Sequence, residues 1–402
     1  MPAVRRPGGT GTTVEELRDA AALRELIPDW ESLAAEAAEP SPFYEHWTLL
    51  PALEAYGGDD FRCFAVWDSG TLIGLFPMRL QRRFHGLPVR VLNCWRHRNM
   101  MLCAAPLVRA KSVGKCIAAL LQAAPAPVME FDWIGAGDAI FGALAETATT
   151  AAMPWVVTDA YTRALLARER DPRTRFNSNM KNNLRRWQAR LETFGRVTPV
   201  RLAPGDDVGA WSDEFFKLEA SGWKGRAGTA VACRPEDRRF VTEVFAEAFR
   251  RGRLHITGLN LDGRPLTRHC MLQAGEGGFC FKIAYDETYE KCSPGILGEV
   301  ENVRQFLENA GPRWVDSNTA RENTSYRRAW KDQRTVQRVA IGVRGLGRAA
   351  VAALPLVRYA GQALRSLKAR VGLRRRDTDG EAAAPSAAGQ PLRQAAQRMP
   401  VS

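Results

Sequence analysis

The apolar positions of the chain fall into two successive series of short helical and strand-like segments. The first series opens with Leu17, Leu23, Leu26 and Leu33, whose spacing predicts one helix from Val14 to about Ala38. The pattern then predicts a helix ended by Gly57-Gly58, strands at 61–67, 71–79, 89–92 and 128–134, and helices at 116–124 and 139–151. Helices around a sheet that begins with antiparallel strands indicate an α+β fold.

The second series repeats this order of elements. It predicts helices at 178–194, 211–220, 235–251 and 299–309 and strands at 196–202, 254–259, 265–273, 279–285 and 314–316. Glycines at 222 and 225 favour a shaped loop rather than a helix. No short repeat of residues is present, so the duplication lies in element order. We therefore predict two related domains, at 1–175 and 176–340.

Positive charge is concentrated near the C-terminus. The net charge is +13, and residues 333–376 contain eleven arginines and lysines but no acid, so the body of the chain is nearly neutral. Valines and leucines among these arginines predict a basic amphipathic tail at 341–376 that favours an anionic membrane surface. A helical tail packed on its own domain is an equal alternative. Residues 377–402 are rich in alanine, proline and glutamine, and we predict that they are disordered.

The remaining composition indicates a cytoplasmic protein with ordinary hydrophobic cores. Apolar residues make up 45% of the chain, which includes eleven tryptophans. The N-terminus has no apolar stretch after its arginines, and no apolar run is long enough to cross a bilayer. The eight cysteines show no CxxC spacing and no clustering with histidine, so we expect neither a disulfide framework nor a metal site.

The segment from Phe279 to Gly298 carries the clearest chemical signal. A predicted strand runs into a turn that contains two glycines, and a predicted helix follows. Backbone N–H groups exposed in such a turn, together with the dipole of the helix, can hold a pyrophosphate without lysines. The candidate cofactor-binding residues are Ser293, Gly295, Ile296, Leu297 and Gly298. An ordinary turn before a helix is the alternative.

This order of strands, glycine turn and helix resembles the acetyl-CoA site of the GNAT superfamily. The strings 218–225 (LEASGWKG), 282–287 (KIAYDE) and 293–295 (SPG) are similar to the BioF2-like or CelD-like acetyltransferases, which are associated with cellulose or exopolysaccharide synthesis. Segments 176–190, 314–316 and 326–334 resemble the same branch, which is related to the FemAB-like twin-GNAT transferases. The resemblance implies tandem GNAT-like domains, with a degenerate domain at 1–175 and the acetyltransferase domain at 176–340. The turn at 293–298 is poorer in glycine and basic residues than the usual GNAT loop, and FemAB-like relatives use other acyl donors.

The resemblance implies acyl transfer from a thioester to an amine or a hydroxyl, with acetyl-CoA or another acyl-CoA as co-substrate and no metal. Such a reaction needs a base for the acceptor and a proton donor for the leaving sulfur. The candidate bases are Glu219 and Asp286, and the candidate acid is Tyr285 or Tyr289. The candidate acceptor-binding residues are Trp223, Lys224 and Lys282. Each has an ordinary alternative as a surface acid, a packing aromatic or a solvated lysine, and His269 is either a further base or a packed strand histidine.

Three functions remain in competition on the sequence alone. The first is an acyl-CoA-dependent N- or O-acyltransferase that acts on an envelope or exopolysaccharide precursor. The second is an aminoacyl-tRNA-dependent peptidyltransferase, which would need a basic surface that the nearly neutral body does not favour. The third is a catalytically inactive binding protein that its tail recruits to the inner face of the membrane.

Overall fold

The computed structural model describes residues 11–100, 105–168, 177–323 and 325–356. The predicted disordered segment at 377–402, the tail from residue 357 onward and the Phe176 end of the GNAT-like string lie outside the described residues. The chain divides into two compact units, at 1–352 and 353–402. In the second unit the described residues, 353–356, are helical.

The first half of the chain contains seven strands and five α-helices among its described residues. The strands are β1 (Thr12–Leu17), β2 (Phe61–Asp68), β3 (Thr71–Gln81), β4 (Val91–Cys94), β5 (Leu107–Val108), β6 (Val128–Gly135) and β7 (Trp155–Ala167). The helices are α1 (Ala20–Arg24), α2 (Ile27–Ala35), α3 (His46–Tyr56), α4 (Val113–Ala123) and α5 (Ala139–Thr150).

The second half, over the residues described, adds six strands and five labelled α-helices. The strands are β8 (Val197–Arg201), β9 (Leu254–Leu261), β10 (Arg264–Ala274), β11 (Gly277–Tyr285), β12 (Trp314–Asp316) and β13 (Asp332–Gly342). The helices are α6 (Ser178–Glu192), α7 (Val208–Ser221), α8 (Trp223–Arg226), α9 (Pro235–Arg250) and α10 (Pro294–Glu308). A further helical stretch covers 346–356.

Most predicted elements are present, but three predictions of local structure are wrong. The segment that begins at Val14 is not helical: 12–17 form β1 because they pair along their whole length with β2, and the helices begin only at Ala20. The helix predicted from Glu299 begins at Pro294, a residue that suits the first helical position. The loop predicted at Gly222 and Gly225 is instead the short helix α8. The long strand β7 was not predicted.

One mixed sheet runs through both halves in the order β1-β2-β3-β4-β6-β13-β7-β12-β11-β10-β9-β8, with β5 beside β3. Each half begins with four antiparallel strands and continues with a parallel pair. The parallel pairs are β4 with β6 and β11 with β12, and each is joined at only three residue positions. Helices flank this sheet, so the expected α+β fold is confirmed, and the repeated element order corresponds to a repeated spatial order.

The two halves exchange one strand at the centre of the sheet. β13, from the end of the second half, lies between β6 and β7 and is antiparallel to both. β7, from the end of the first half, pairs with β12 of the second half. Each half therefore completes its sheet with a strand of the other half.

The residues that follow β13 pack on the body of the first unit. Ile341 and Gly342, at the start of the predicted tail, are the last residues of β13, and Val343, Ala350 and Val351 are buried. The described part of the tail within the first unit therefore favours the packed alternative. Across the described ranges, no helix is both long enough and apolar enough to cross a membrane.

Replacement of Ile341 tests the strand exchange. Ile341 is fully buried and lies opposite Met129 in β6 and Trp155 in β7. Ile341→Ala is expected to lower the free energy of unfolding by about 2–5 kcal/mol, because it leaves a cavity between two strands of the first half. Hydrogen exchange should accelerate in β6 and β7.

The matched control for this experiment is Leu346→Ala, at a side chain that is 75% exposed. We expect little change in stability for the control. If hydrogen exchange in Ile341→Ala accelerates only in strands of the second half, the exchange of β13 between the halves is contradicted.

Candidate active site

The turn from α7 into α8 depends on two glycines. A Cβ atom at Gly222 would lie 2.8 Å from Oε1 of Glu287, and one at Gly225 would lie 1.8 Å from the carbonyl oxygen of Ala220. No larger residue fits at Gly225 without movement of the backbone. The glycines therefore allow the chain to turn tightly at the end of α7, beside the C-terminal end of β11.

Glu219, in the last turn of α7, is buried and fully engaged. Its Oε1 accepts a hydrogen bond from Nζ of Lys224 at 2.8 Å, and its Oε2 accepts one from the backbone N–H of Val231 at 2.8 Å. Nζ of Lys224 also lies 3.3 Å from the carbonyl oxygen of Ile283 in β11. This ion pair therefore holds the α7–α8 turn against β11.

The α7–α8 turn and the end of β11 border a small cleft that is open to solvent. Four of the predicted site residues line this same cleft, although they are up to 66 positions apart: Glu219, Trp223, Lys224 and Tyr285. The other lining residues are Leu218, Gly222, Ile283, Ala284 and Glu287. Trp223 is 50% exposed and forms one wall of the opening.

The two acids that follow β11 have different roles. Asp286 accepts a hydrogen bond from the backbone N–H of Thr288 at 2.9 Å and so caps the 3-10 helix at 287–292; it does not line the cleft. Glu287 does line it, and its carboxylate accepts hydrogen bonds from the N–H of Trp223 at 2.8 Å and from Arg226 at 2.6 Å. Burial raises the pKa of Glu287, but these two donors outweigh it and hold the pKa below its ordinary value. Sequence reasoning selected Asp286 and missed its neighbour.

The predicted pyrophosphate turn is the first turn of α10. Ser293 precedes it with a left-handed backbone (φ +50°), and Gly295 lies against Tyr285, whose ring a Cβ atom would approach to 3.1 Å. Ser293, Gly295 and Ile296 are partly exposed, whereas Leu297 and Gly298 are buried. A Cβ atom at Gly298 would lie 2.6 Å from Oγ1 of Thr267 in β10. The two buried residues therefore pack α10 on the sheet, and only the first three are accessible to a ligand.

β12 ends with its short parallel pairing to β11, whereas β11 continues beyond it. β12 ends at Asp316, opposite Phe279, while β11 continues to Tyr285. The register of β11 against β10 shifts between Cys280 and Lys282, so that Phe281 forms a bulge. Beyond β12, Asn318 donates a hydrogen bond from Nδ2 to the carbonyl oxygen of Cys280 at 3.3 Å. Bulges of this kind redirect backbone groups and side chains and are common beside active sites.

Lys282 connects the bulged strand to the first half of the chain. Its Nζ donates to Oδ1 of Asn99 at 2.8 Å, and Nδ2 of Asn99 is 2.9 Å from the Tyr56 hydroxyl and 2.8 Å from Oδ1 of Asp237. The hydroxyl of Tyr56 donates to the same carboxylate at 2.6 Å. Sequence reasoning named Lys282 but missed its partners, because they lie more than 40 positions away and only the tertiary structure brings them together.

The ammonium of Lys282 lies in a mixed electrostatic environment. Burial lowers its pKa, the carboxylate of Glu219 raises it, and the ammonium of Lys224 lowers it. The net shift is downward. The charges of Glu219 and Lys224 therefore act on Lys282, although Lys282 does not line the cleft.

The other two aromatic and basic candidates have packing roles. Tyr289 packs against Phe194, with ring centroids 5.4 Å apart, and does not line the cleft. His269 is buried, with Nδ1 3.1 Å from Oε2 of Glu299 in α10. Trp330 donates to the same Glu299 carboxylate at 2.6 Å. Among the residues that the structure describes, no group of three or more His, Cys, Asp or Glu side chains could hold a metal ion.

Comparison with known proteins identifies the class of enzyme to which the second half of the chain is similar. Residues 178–332 match the family model described as acetyltransferase (GNAT) domain. No curated protein matches the chain significantly in sequence. The chain is similar in fold to the crystal structure of FemX, with a TM-score of 0.51 and 10% identity over 80% of this chain and 96% of that one. It is similar to the same degree to the C-terminal domain (DUF2156) of a proposed lysylphosphatidylglycerol synthetase from Agrobacterium fabrum, with a TM-score of 0.50 and 12% identity over 84% of this chain and 95% of that one.

The matched segment extends from α6 to the start of β13 and contains the cleft, α10 and the strands β11 and β12. The chain therefore carries a GNAT acetyltransferase domain, and it is an enzyme of the acyltransferase class. The two structural likenesses, both at low identity, show the shared fold.

A double-mutant cycle tests the buried pair of Glu219 and Lys224. Lys224→Met leaves the carboxylate of Glu219 buried without its cation, and we expect a loss of about 1–3 kcal/mol in the free energy of unfolding. Adding Glu219→Gln should recover part of this loss, because the amide keeps a hydrogen-bond acceptor for Val231 without the buried charge. Urea denaturation of the two single variants and the double variant measures the coupling. If Lys224→Met and the double variant lose the same free energy of unfolding, the charge pair does not stabilise the turn.

A second prediction concerns His97, whose ring stacks on Tyr56 with centroids 4.7 Å apart. Burial, with the nearby charges of Lys282, Arg98 and Arg96, lowers the pKa of His97 to about 3. The unfolded chain binds a proton at His97 below its ordinary pKa of about 6.5, whereas the folded chain does not, so stability should fall as the pH decreases. His97→Phe keeps the ring and should reduce the difference in unfolding free energy between about pH 7.5 and about pH 5. If the difference in unfolding free energy between the two pH values is the same in His97→Phe and in the wild type, His97 is not a buried neutral ring but is in contact with water.

Proposed function

We propose that the domain at 176–340 transfers an acyl group from acyl-CoA, with acetyl-CoA as the first candidate, to an amine or hydroxyl of an envelope or exopolysaccharide precursor. The observation that carries this proposal is the convergence of Glu219, Trp223, Lys224 and Tyr285 on one cleft at the end of β11. The cleft lies beside the first turn of α10, where Gly295 contacts Tyr285. A domain at 1–175 that has lost this site completes the proposed organisation.

In this proposal the acyl donor lies beyond the end of the pairing of β11 with β12. The N–H groups of Ser293 and Ile296 donate to carbonyl oxygens of Glu290 and Ser293. The pyrophosphate would therefore be held by the N–H of Gly295 and the positive end of the helix dipole at the accessible first turn of α10. The acceptor nitrogen or oxygen attacks the thioester carbonyl carbon, the carbon–sulfur bond breaks, and the thiolate takes a proton. The acceptor would be held between Trp223, Lys224 and Lys282.

The proton transfers are assigned by position in the cleft. Burial, with the carboxylates of Glu287 and Glu290, raises the pKa of Tyr285, so its hydroxyl is protonated at neutral pH and can donate to the departing thiolate. Glu219 lies in the cleft and is the proposed base; the acceptor would displace Lys224 from its carboxylate. Asp286 remains the weaker candidate because it caps the 287–292 helix.

One observation favours a second donor class. The turn at 293–298 contains no lysine or arginine and so differs from the usual GNAT loop. Transfer of an aminoacyl group from aminoacyl-tRNA is the alternative activity, because FemX shares the fold, although the nearly neutral body does not favour tRNA. The third possibility, a catalytically inactive protein that residues 341–376 recruit to the cytoplasmic face of the membrane, predicts that neither donor binds.

Calorimetric titration of the full chain with acetyl-CoA and with free CoA tests the acyl-CoA proposal. Ile296→Glu places a carboxylate in the first turn of α10, where it is favourable for the helix but repels a pyrophosphate. We expect the affinity for both ligands to fall at least about tenfold, which corresponds to about 1.4 kcal/mol, while the unfolding free energy changes little.

The matched control is Ala210→Glu, which adds the same charge to the exposed first turn of α7. Its affinity for CoA should equal that of the wild type. A folded wild-type chain that binds neither ligand would overturn the acyl-CoA proposal, and aminoacyl-tRNA would then be the donor to test.

A further inference from the structure

A second parallel pairing that ends within the sheet lies in the first half of the chain. The pairing of β4 with β6 ends at Asn93 and Glu130, and β6 continues to Gly135, with the N–H of Asp132 3.4 Å from Sγ of Cys94. We call the residues around the end of this pairing, Arg96, Asp132, Trp133 and Arg338, the β4–β6 mouth. It is remote in sequence from the cleft that carries the proposed function, and no part of that function depends on it.

Two bulges meet at the β4–β6 mouth, one on each side of Arg338. Between β13 and β6 the register passes from Gln337 opposite Ile134 to Val339 opposite Phe131, so Asp132 and Trp133 together face Arg338. Between β13 and β7 the register also shifts after Arg338, and this shift leaves one extra residue in β7. Paired bulges in the middle of a sheet are features that redirect side chains, and they are common next to binding sites.

Trp133 adopts a strained backbone in this bulge. Its φ is +55°, a left-handed value that costs a residue other than glycine about 1–3 kcal/mol. The ring is held in place by the Arg338 guanidinium, 4.9 Å from its centroid, and by an edge contact with Tyr161 at 5.0 Å. Within the described residues, the buried indole N–H of Trp133 has no hydrogen-bond partner. The indole N–H is therefore a buried donor that the described residues do not satisfy, on a residue with a strained backbone.

Two guanidinium groups share one carboxylate beside this indole. Arg338 donates from Nε to Oδ1 of Asp132, and Nη1 of Arg96 lies 3.5 Å from Oδ2 of the same side chain. The buried Nε of Arg96 has no partner among the described residues. Both arginine side chains are 27% exposed, so a ligand can approach them from solvent.

The acids near the β4–β6 mouth have their own partners. The carboxylate of Glu130 accepts hydrogen bonds from Asn93 at 2.8 Å and Thr158 at 3.1 Å and contacts His85 at 2.9 Å. Asp159 pairs with Arg321. The groups at the mouth without a partner among the described residues are therefore donors: the indole N–H of Trp133 and the Nε–H of Arg96.

An unused buried donor costs free energy, and the group that suits neighbouring N–H donors beside two guanidinium groups is an oxyanion. We infer that the β4–β6 mouth binds the oxyanion of a small ligand, a carboxylate or a phosphate group, through Arg96, Trp133 and Arg338. The first half of the chain is then a ligand-binding half.

The experiment uses the full chain labelled with ¹⁵N-tryptophan and follows its eleven indole N–H signals by NMR. The signal that is absent in Trp133→Phe belongs to Trp133. We expect that signal to move on addition of pyrophosphate or succinate, relative to sodium chloride at the same ionic strength. Movement with pyrophosphate alone identifies a phosphate ligand, and movement with succinate alone identifies a carboxylate ligand.

Arg96→Gln should weaken the binding at least about tenfold, because one charged donor is lost. Arg250→Gln, at an arginine that is 68% exposed, is the matched control and should bind as the wild type does. The inference is overturned if neither probe moves the Trp133 signal, or if Arg96→Gln binds as well as the wild type. Ile296→Glu should leave this titration unchanged, so failure here and failure of the acyl-CoA proposal are distinguishable.

Discussion

Strand β13 connects the two halves of the molecule, because its backbone supplies hydrogen bonds to β6 and β7 along most of its length. An unpaired strand edge at the centre of a sheet would leave buried N–H and C=O groups without partners, which is costly. Neither half by itself can pair all the backbone groups of the central strands, since β7 of the first half pairs with β12 of the second half. The cleft in the second half and the mouth in the first half therefore rest on one shared sheet.

The candidate site follows from that shared sheet and from close backbone contacts. Gly225 lets α8 approach Ala220, and the ion pair of Glu219 and Lys224 then holds the turn against β11. The first half contributes Asn99, which accepts a hydrogen bond from Lys282, and Tyr56, which contacts Asn99. The same arrangement serves stability and chemistry, because the groups that close the cleft also line it.

Several of the site residues could be predicted from the sequence because they lie near recognisable turns. The string at 218–225 and the strand end at 282–287 contain Glu219, Trp223, Lys224 and Tyr285, which the structure brings to one cleft. The choice between Asp286 and Glu287 could not be made, because adjacent acids at a strand end differ only in the direction of their side chains. Leu297 and Gly298 belonged to the same predicted turn as Gly295, but the helix begins earlier than predicted and turns both residues toward the sheet.

The amino-acid sequence by itself determined the α+β class, the repeated order of elements and most strands and helices, because apolar periodicity and turn residues act over a few neighbouring positions. It did not determine that 12–17 form an edge strand or that β13 lies between β6 and β7, since such pairings join residues that are from about 50 to more than 180 positions apart. The bulges that face Arg338 and the left-handed backbone of Trp133 arise from those pairings. Only the tertiary structure decided which polar groups are satisfied within the protein and which remain for a ligand, because that balance depends on contacts between distant segments.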